Sequence, residues 1–259
     1  MGYLAAAMQT EILKIRKSKM IWITLAVFTL APLMGGFFMF VLKDPELARS
    51  SGLLGDKAQL FGEASWPAYF FLLAQILAVG GTMVFAFVTS WVFGREYTDQ
   101  TIKDLLSLPT HRSIHVIAKF IAVLLTCLLL SIYVITLGLV IGMFIGLPEW
   151  SQSAAVDGFT VLMVTTGLTI ALTPPVAFFA CYGRGFLAPI GFVILMVVFA
   201  QVIAAIGYGE YFPWAVPALF SGVTGTAGGL ESLSIFLVLM MTVAGVAATV
   251  AWWLLADQH

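Results

Sequence analysis

The chain has 259 residues, 61% of them hydrophobic and 10% charged, with a net charge of −1 and a mean hydropathy of +1.04. An average soluble domain carries about a quarter charged residues, so this composition excludes a soluble globular protein. A bilayer-spanning helix takes roughly 20 apolar residues, which leaves room for about six spans with short loops.

Residues 3 to 19 place Leu4, Met8, Ile12 and Ile15 on one helical face and gather Lys14, Arg16, Lys17 and Lys19 at the far end. The pattern predicts an interfacial helix on an anionic leaflet, with a basic flank snorkelling from the first span as the alternative. The apolar stretch that follows is too long for a signal-peptide core. Spans are expected at 20–42, 67–93, 116–147, 158–181, 187–207 and 232–255. The loops at 1–19, 94–115 and 182–186, with Lys119 at a span mouth, hold nine of the twelve Lys and Arg. Lys43, Arg49 and Lys57 fall in the 43–66 loop. By the positive-inside rule both termini and the 94–115 segment are cytoplasmic. Asp44, Glu46, Asp56, Glu63, Glu149, Asp157, Glu210 and Glu231 lie on the other side and agree.

Within the spans the polar residues are few. Gln75, Thr82 and Thr89 recur every seven residues on one face of the second span, and Gln201 sits on the fifth. Such residues glue helices together or line a path. The third apolar run, near 48 Å as a helix, exceeds the roughly 30 Å hydrocarbon core and must tilt or protrude. Its outer half reads Gly138-x-x-x-Gly142-x-x-x-Gly146, a ridge for close helix packing. In the fourth span Thr165, Thr169 and Thr173, further candidates for lining a path, precede Pro174-Pro175. The prolines kink the helix and are candidates for a hinge, and nearby hydroxyls can satisfy the freed carbonyls. Residues 208–231, rich in aromatics and broken by Pro213 and Pro217, suit a re-entrant or interfacial outer hairpin with Tyr211 and Trp214 at headgroup depth. Cys127 and Cys181 lie on different stretches, which argues against a disulfide.

Between the second and third spans stands a polar island, residues 93–113. Asp99 suits a helix N-cap, Asp99 and Lys103 an i,i+4 pair, and Ile102, Leu105 and Leu106 one apolar stripe. Pro109 ends the pattern. A short amphipathic helix over 99–108 is expected, either docking a partner or lying on the bilayer. No Asp, Glu, Lys, Arg or His falls in the middle of a span, where ion-coupled carriers keep such groups. His111, His115 and His259 lie at or beyond the cytoplasmic face. No catalytic dyad, metal-ligand cluster or phosphate-binding loop is legible, so energy for uphill transport has to enter from a partner.

The island's order, Glu96-Tyr97, Thr101, Leu105-Leu106, Pro109 and Arg112, then Lys119-Phe120 at the next span, resembles the signature of type-2 ABC transporter permeases. The bacitracin- and lantibiotic-export branch is the nearest match. The resemblance implies an all-α integral membrane protein: six transmembrane helices, an N-terminal interfacial connecting helix over 1–19, a cytoplasmic coupling helix and a re-entrant outer hairpin. It implies a non-catalytic subunit in a bacterial plasma membrane. The complex would hold a second permease, identical or related, and two ABC ATPase subunits that bind the ATP and Mg; no nucleic acid is involved. Glu96, Asp99, Thr101, Ile102, Lys103, Asp104, Leu105, Leu106, Pro109 and Arg112 would form the ATPase-docking segment, with Glu96 and Arg112 anchoring it. The long third span would act as a lever, the second and fifth spans would face the partner permease and the substrate, and the turn with Arg184 would be a lesser contact. Export of a drug or antimicrobial peptide is the expected function. The alternatives are an immunity or sensor protein that binds such a compound at its acidic, aromatic outer face without pumping it, and a secondary carrier.

Overall fold

The computed structural model describes residues 2–44, 64–102, 111–223 and 231–255 of the chain. Helix α1 (Gly2–Lys17) is separated from the first span, α2 (Lys19–Lys43), by Ser18 alone, whose extended backbone turns the chain. The second span is α3 (Trp66–Gln75), a π-helical turn at Ile76–Gly80 and α4 (Gly81–Thr98). The third is α5 (Arg112–Ile145), whose 34 residues extend about 51 Å at 1.5 Å each. The fourth is α6 (Gln152–Ala171) followed by α7 (Thr173–Tyr182), the fifth α8 (Leu187–Ala205) and the sixth α10 (Ser232–Leu255). Between the last two lie a 3₁₀ turn at Gly209–Tyr211 and the short α9 (Val216–Phe220). The described residues therefore form an all-α bundle with six helices long and apolar enough to cross a membrane.

The second, third and fourth spans form the centre, and the first, fifth and sixth turn large apolar side chains outward, among them Trp22, Phe37, Ile194, Val198, Phe236 and Val243. A helix apolar on all sides needs a nonpolar surround, which a bilayer supplies. The ends of the bundle differ in charge. Among the described residues, one end carries eight Lys and Arg against three carboxylates (Glu11, Glu96, Asp99), and the other carries Lys43 against Asp44, Glu149, Asp157, Glu210 and Glu231.

The glycine ridge of the third span packs within the subunit. A Cβ on Gly138 would meet Leu73 at 2.7 Å, and one on Gly142 would meet the Trp66 ring at 2.7 Å, so both glycines let the second span lie directly on the third. Gly146 adopts a left-handed backbone, φ +66°, and closes α5, while Lys43 Nζ donates to the carbonyls of Ile145 (2.7 Å) and Gly146 (3.0 Å).

Pro174 and Pro175 break the fourth span at Leu172, as the loss of two amide donors requires. The carbonyls left without i+4 donors are those of Ile170 and Ala171. Thr173 Oγ1 donates to Ile170 O at 2.8 Å, and Thr242 Oγ1 reaches from α10 to Ala171 O at 2.7 Å. Gly245 of α10 lies against the break; a Cβ there would come within 2.5 Å of Pro175 N.

The outer segment departs from expectation at one aromatic. Tyr208 and Tyr211 are exposed, but Trp214 is buried edge-on against Phe192 of α8, with Ala215 and Val216 beside it. It is a packing residue and not a surface anchor, because α9 folds back over α6 and the π turn and carries Trp214 inward. The remainder of the expected outer loops, residues 45–63 and 224–230, lies outside the described residues, as does His259.

Candidate functional site

At the basic end, α4 ends in a tight reversal. Gln100 N–H donates to Tyr97 O (3.3 Å) and Thr101 N–H to Glu96 O (2.9 Å), with Gln100 in the left-handed region at φ +56°. These two bonds are a Schellman motif, which satisfies carbonyls that a helix C-terminus would leave open. The motif uses residues 99–101, so Asp99 closes the second span and does not cap a helix beginning at 99. Its carboxylate accepts from Arg95 Nε at 3.0 Å. Ile102, the first helical residue after the turn, is buried. Lys103, Asp104, Leu105, Leu106 and Pro109 lie outside the described residues.

One turn before this reversal, Glu96 faces inward and meets two lysines. Lys119 of α5, fully buried, donates from Nζ to Glu96 Oε2 (2.8 Å), Val92 O (2.8 Å) and Glu11 Oε2 (3.3 Å). Lys14 of α1 donates to Glu96 Oε1 (2.9 Å) and Glu11 Oε1 (2.8 Å). Each carboxylate thus receives one bond from each ammonium, and the four alternating charges close into a ring with Lys119 using all three of its donors. Removing such ions from water costs several kcal/mol apiece, and only good geometry offsets it. Burial lowers the basicity of Lys14, but Glu96 and Glu11 outweigh it and hold the pKa above the ordinary lysine value. Its contribution to folding is therefore complete at neutral pH and is lost only above that value, in strongly alkaline solution.

The ring joins α1 to the second and third spans. A further contact brings in the fourth: a Cβ on Gly94 would lie 2.9 Å from Gly185 O, so the absent side chain lets the 182–186 turn rest on the start of the island. Arg184, in that turn, has φ +50°. Arg112 takes a different partner from Glu96, donating from Nη1 to Trp253 O at 3.3 Å at the end of α10. A cation there also meets the negative end of the helix dipole. Trp253 Nε1 in turn donates to Cys181 Sγ at 3.2 Å.

Glu11 is the residue that the periodicity of α1 missed. The buried side chains on α1 are Glu11 and Ile15, with Leu4 and Met8 half-buried on the same face, while Ile12 is exposed. The face is rotated from 4-8-12-15 to 4-8-11-15 and turned toward α5. The signal available was one acid among the basic residues of α1, three residues before Lys14.

Most of the candidate path residues sit in helix packing. Thr82, Thr89, Thr165, Thr169 and Thr173 are buried, and the hydroxyls of Thr82, Thr89 and Thr169 donate to carbonyls four residues back on their own helices. Thr165 Oγ1 is buried without a hydrogen-bond partner among the described residues. Gln75 is half-buried and Gln201 exposed on α8. Among the described residues no group of three or more His, Cys, Asp or Glu could hold a metal.

A family profile described as ABC-2 family transporter protein matches residues 7–201, from α1 through most of the fifth span and so including the whole ring. The chain is also similar to the bacitracin transport permease protein BCRB of Bacillus licheniformis, 25% identical over 184 residues, which cover 71% of this chain and 88% of that protein.

Proposed function

This chain belongs to the ABC-2 family of transporter proteins, and we propose that, as a membrane-embedded permease subunit, it exports an amphipathic compound with energy from a separate ATPase. The observation that carries the reading is the charged ring. Residues 99–108 would receive the motion of the ATPase, and the Glu96–Lys119 bond joins the start of that segment directly to α5. Glu11 and Lys14 add α1 to the same unit, and the Gly94–Gly185 approach adds the fourth span. A push that reaches Glu96, at the start of the island, then passes through an ion pair directly to the long third helix.

In this reading the basic end faces the cytoplasm, in keeping with its excess of Lys and Arg. Two permease subunits and two ATPase subunits make the transporter. The likeness to a bacitracin transport permease favours a peptide antibiotic or similar drug as cargo. We place cargo contact near Gln201, which is exposed on the fifth span. The buried threonines shape the path through helix packing, and the break at Pro174-Pro175 divides the fourth span into two rods that move with α10.

The test uses the ATPase subunit that co-purifies with the permease. The full-length permease is expected to raise its ATP turnover, and Leu105→Asp with Leu106→Asp is expected to return turnover to the basal rate and abolish co-purification. A double variant that assembles and stimulates like the unaltered protein would refute docking through this segment.

A second reading rests on the opposite end. Trp150 is exposed there over a cluster of tilted and edge-on rings, Trp66, Phe70 and Phe159, at centroid distances of 4.8–6.4 Å, and exposed Asp157 lines the same surface. Such a surface suits a cationic amphipath and would serve an immunity protein that binds without pumping. Protection of cells that persists when the ATPase is made hydrolysis-deficient would favour this reading over export.

A further inference from the structure

Beside the charged ring, α1 and the end of α4 enclose an open crevice of about 630 Å³. Its rim is cationic. Lys17 is exposed there, the Lys14 side chain is partly exposed with its ammonium held by Glu11 and Glu96, and Arg95 stands 4.9 Å over the Trp91 ring. Asp99 is the one carboxylate on the crevice wall among the described residues, and it takes only Nε of Arg95, leaving the two terminal nitrogens of the guanidinium directed elsewhere. Leu13, half exposed, and Trp91 supply the apolar wall.

Two features set the chemistry of an occupant. The guanidinium fork and the Lys17 ammonium suit a phosphate oxygen triad, and the ring beneath cancels its own charge, so the excess at the rim is positive. Of the apolar wall, Leu13 belongs to α1 and Trp91 to α4, within the second membrane-spanning segment. A ligand that satisfies both has an anionic phosphate head and a hydrocarbon tail. We propose that this crevice binds the headgroup of an anionic phospholipid, with its acyl chain following Trp91 down the surface of the second span. The phosphate group is common to lipid and to free phosphate; the amphipathic lining assigns the site to the lipid. The lipid would hold α1 against α4 from outside while the ring holds it from within. The inference rests on the membrane setting alone, not on ATP coupling, so it can fail or stand apart from the transport reading.

The experiment uses the purified full-length permease without any ATPase, in detergent. Binding of dioctanoyl phosphatidylglycerol, dioctanoyl phosphatidylcholine and inorganic phosphate is titrated by native mass spectrometry. The anionic lipid should bind about tenfold or more tightly than the zwitterionic one. Lys17→Gln with Arg95→Gln should weaken it about thirtyfold, each cation near an anionic surface being worth about fivefold. Arg16→Gln with Lys19→Gln, which removes equal charge outside the crevice, should leave the affinity within about threefold. Lys17→Arg with Arg95→Lys should keep binding and serves if the neutral pair melts early. Equal affinity for both lipids, an equal loss in the Arg16/Lys19 variant, or displacement of the lipid by inorganic phosphate at matched concentration would each overturn the proposal.

Discussion

Glu96 and Lys119 carry opposite charges in a place where neither could remain alone. Lys119 is fully buried and Glu96 nearly so, and truncating one member of a buried ion pair costs about 3–5 kcal/mol because the other charge is stranded. Glu96→Gln is therefore expected to lower the melting temperature of the detergent-solubilised protein by many degrees. Replacing both, Glu96→Met with Lys119→Met, should recover most of that stability, since Glu11 and Lys14 still form a neutral pair. If the ring transmits motion, the stable double variant will nonetheless fail to stimulate its ATPase. A double variant that couples normally would reduce the ring to a structural fastening. Both residues were visible in the sequence as parts of a signature, whereas their partners on α1 were not. Glu11 lies 108 positions from Lys119 and Lys14 lies 82 from Glu96, and no local pattern encodes such a meeting.

The fourth span shows how a broken helix is made tolerable in a bilayer. With two proline nitrogens unable to donate, the Ile170 and Ala171 carbonyls would be open in a medium that offers no water. Thr173 covers the first from across the break in the same span and Thr242 the second from α10. Thr242→Val keeps the shape and removes the hydroxyl, so it should cost about 1–3 kcal/mol, read as a melting temperature several degrees lower. Thr242→Ser should stay near the unaltered value. Equal melting for the valine and serine variants would show that the hydroxyl is not needed. The kink and the need for hydroxyls were legible from Pro174-Pro175 and their neighbours, but the donor from α10 was not, because it depends on which helix packs at the break. The same limit explains Trp214, whose sequence context resembles an interfacial anchor and whose neighbour Phe192 lies on another helix.

Taken whole, the molecule is a six-span bundle with a basic end and an acidic end, and that asymmetry gives it a direction. A cysteine in place of Ser151, at the acidic end, should react with a membrane-impermeant maleimide added to intact cells. One in place of Arg16 should react only after the membrane is opened. Native Cys127 and Cys181 are buried and should contribute little background. The reverse labelling pattern would invert the topology and remove the island from the side where ATP is found. The number of spans, the island between the second and third, and the charge asymmetry were all determined by the sequence, because hydrophobicity, turn residues and charge act through the neighbours each residue has along the chain. Which helix faces adjoin was decided only in three dimensions. The closure of Glu11, Lys14, Glu96 and Lys119 into a ring depends on three helices meeting at one height, and periodicity within a single helix carries no information about the rotation or level of the next.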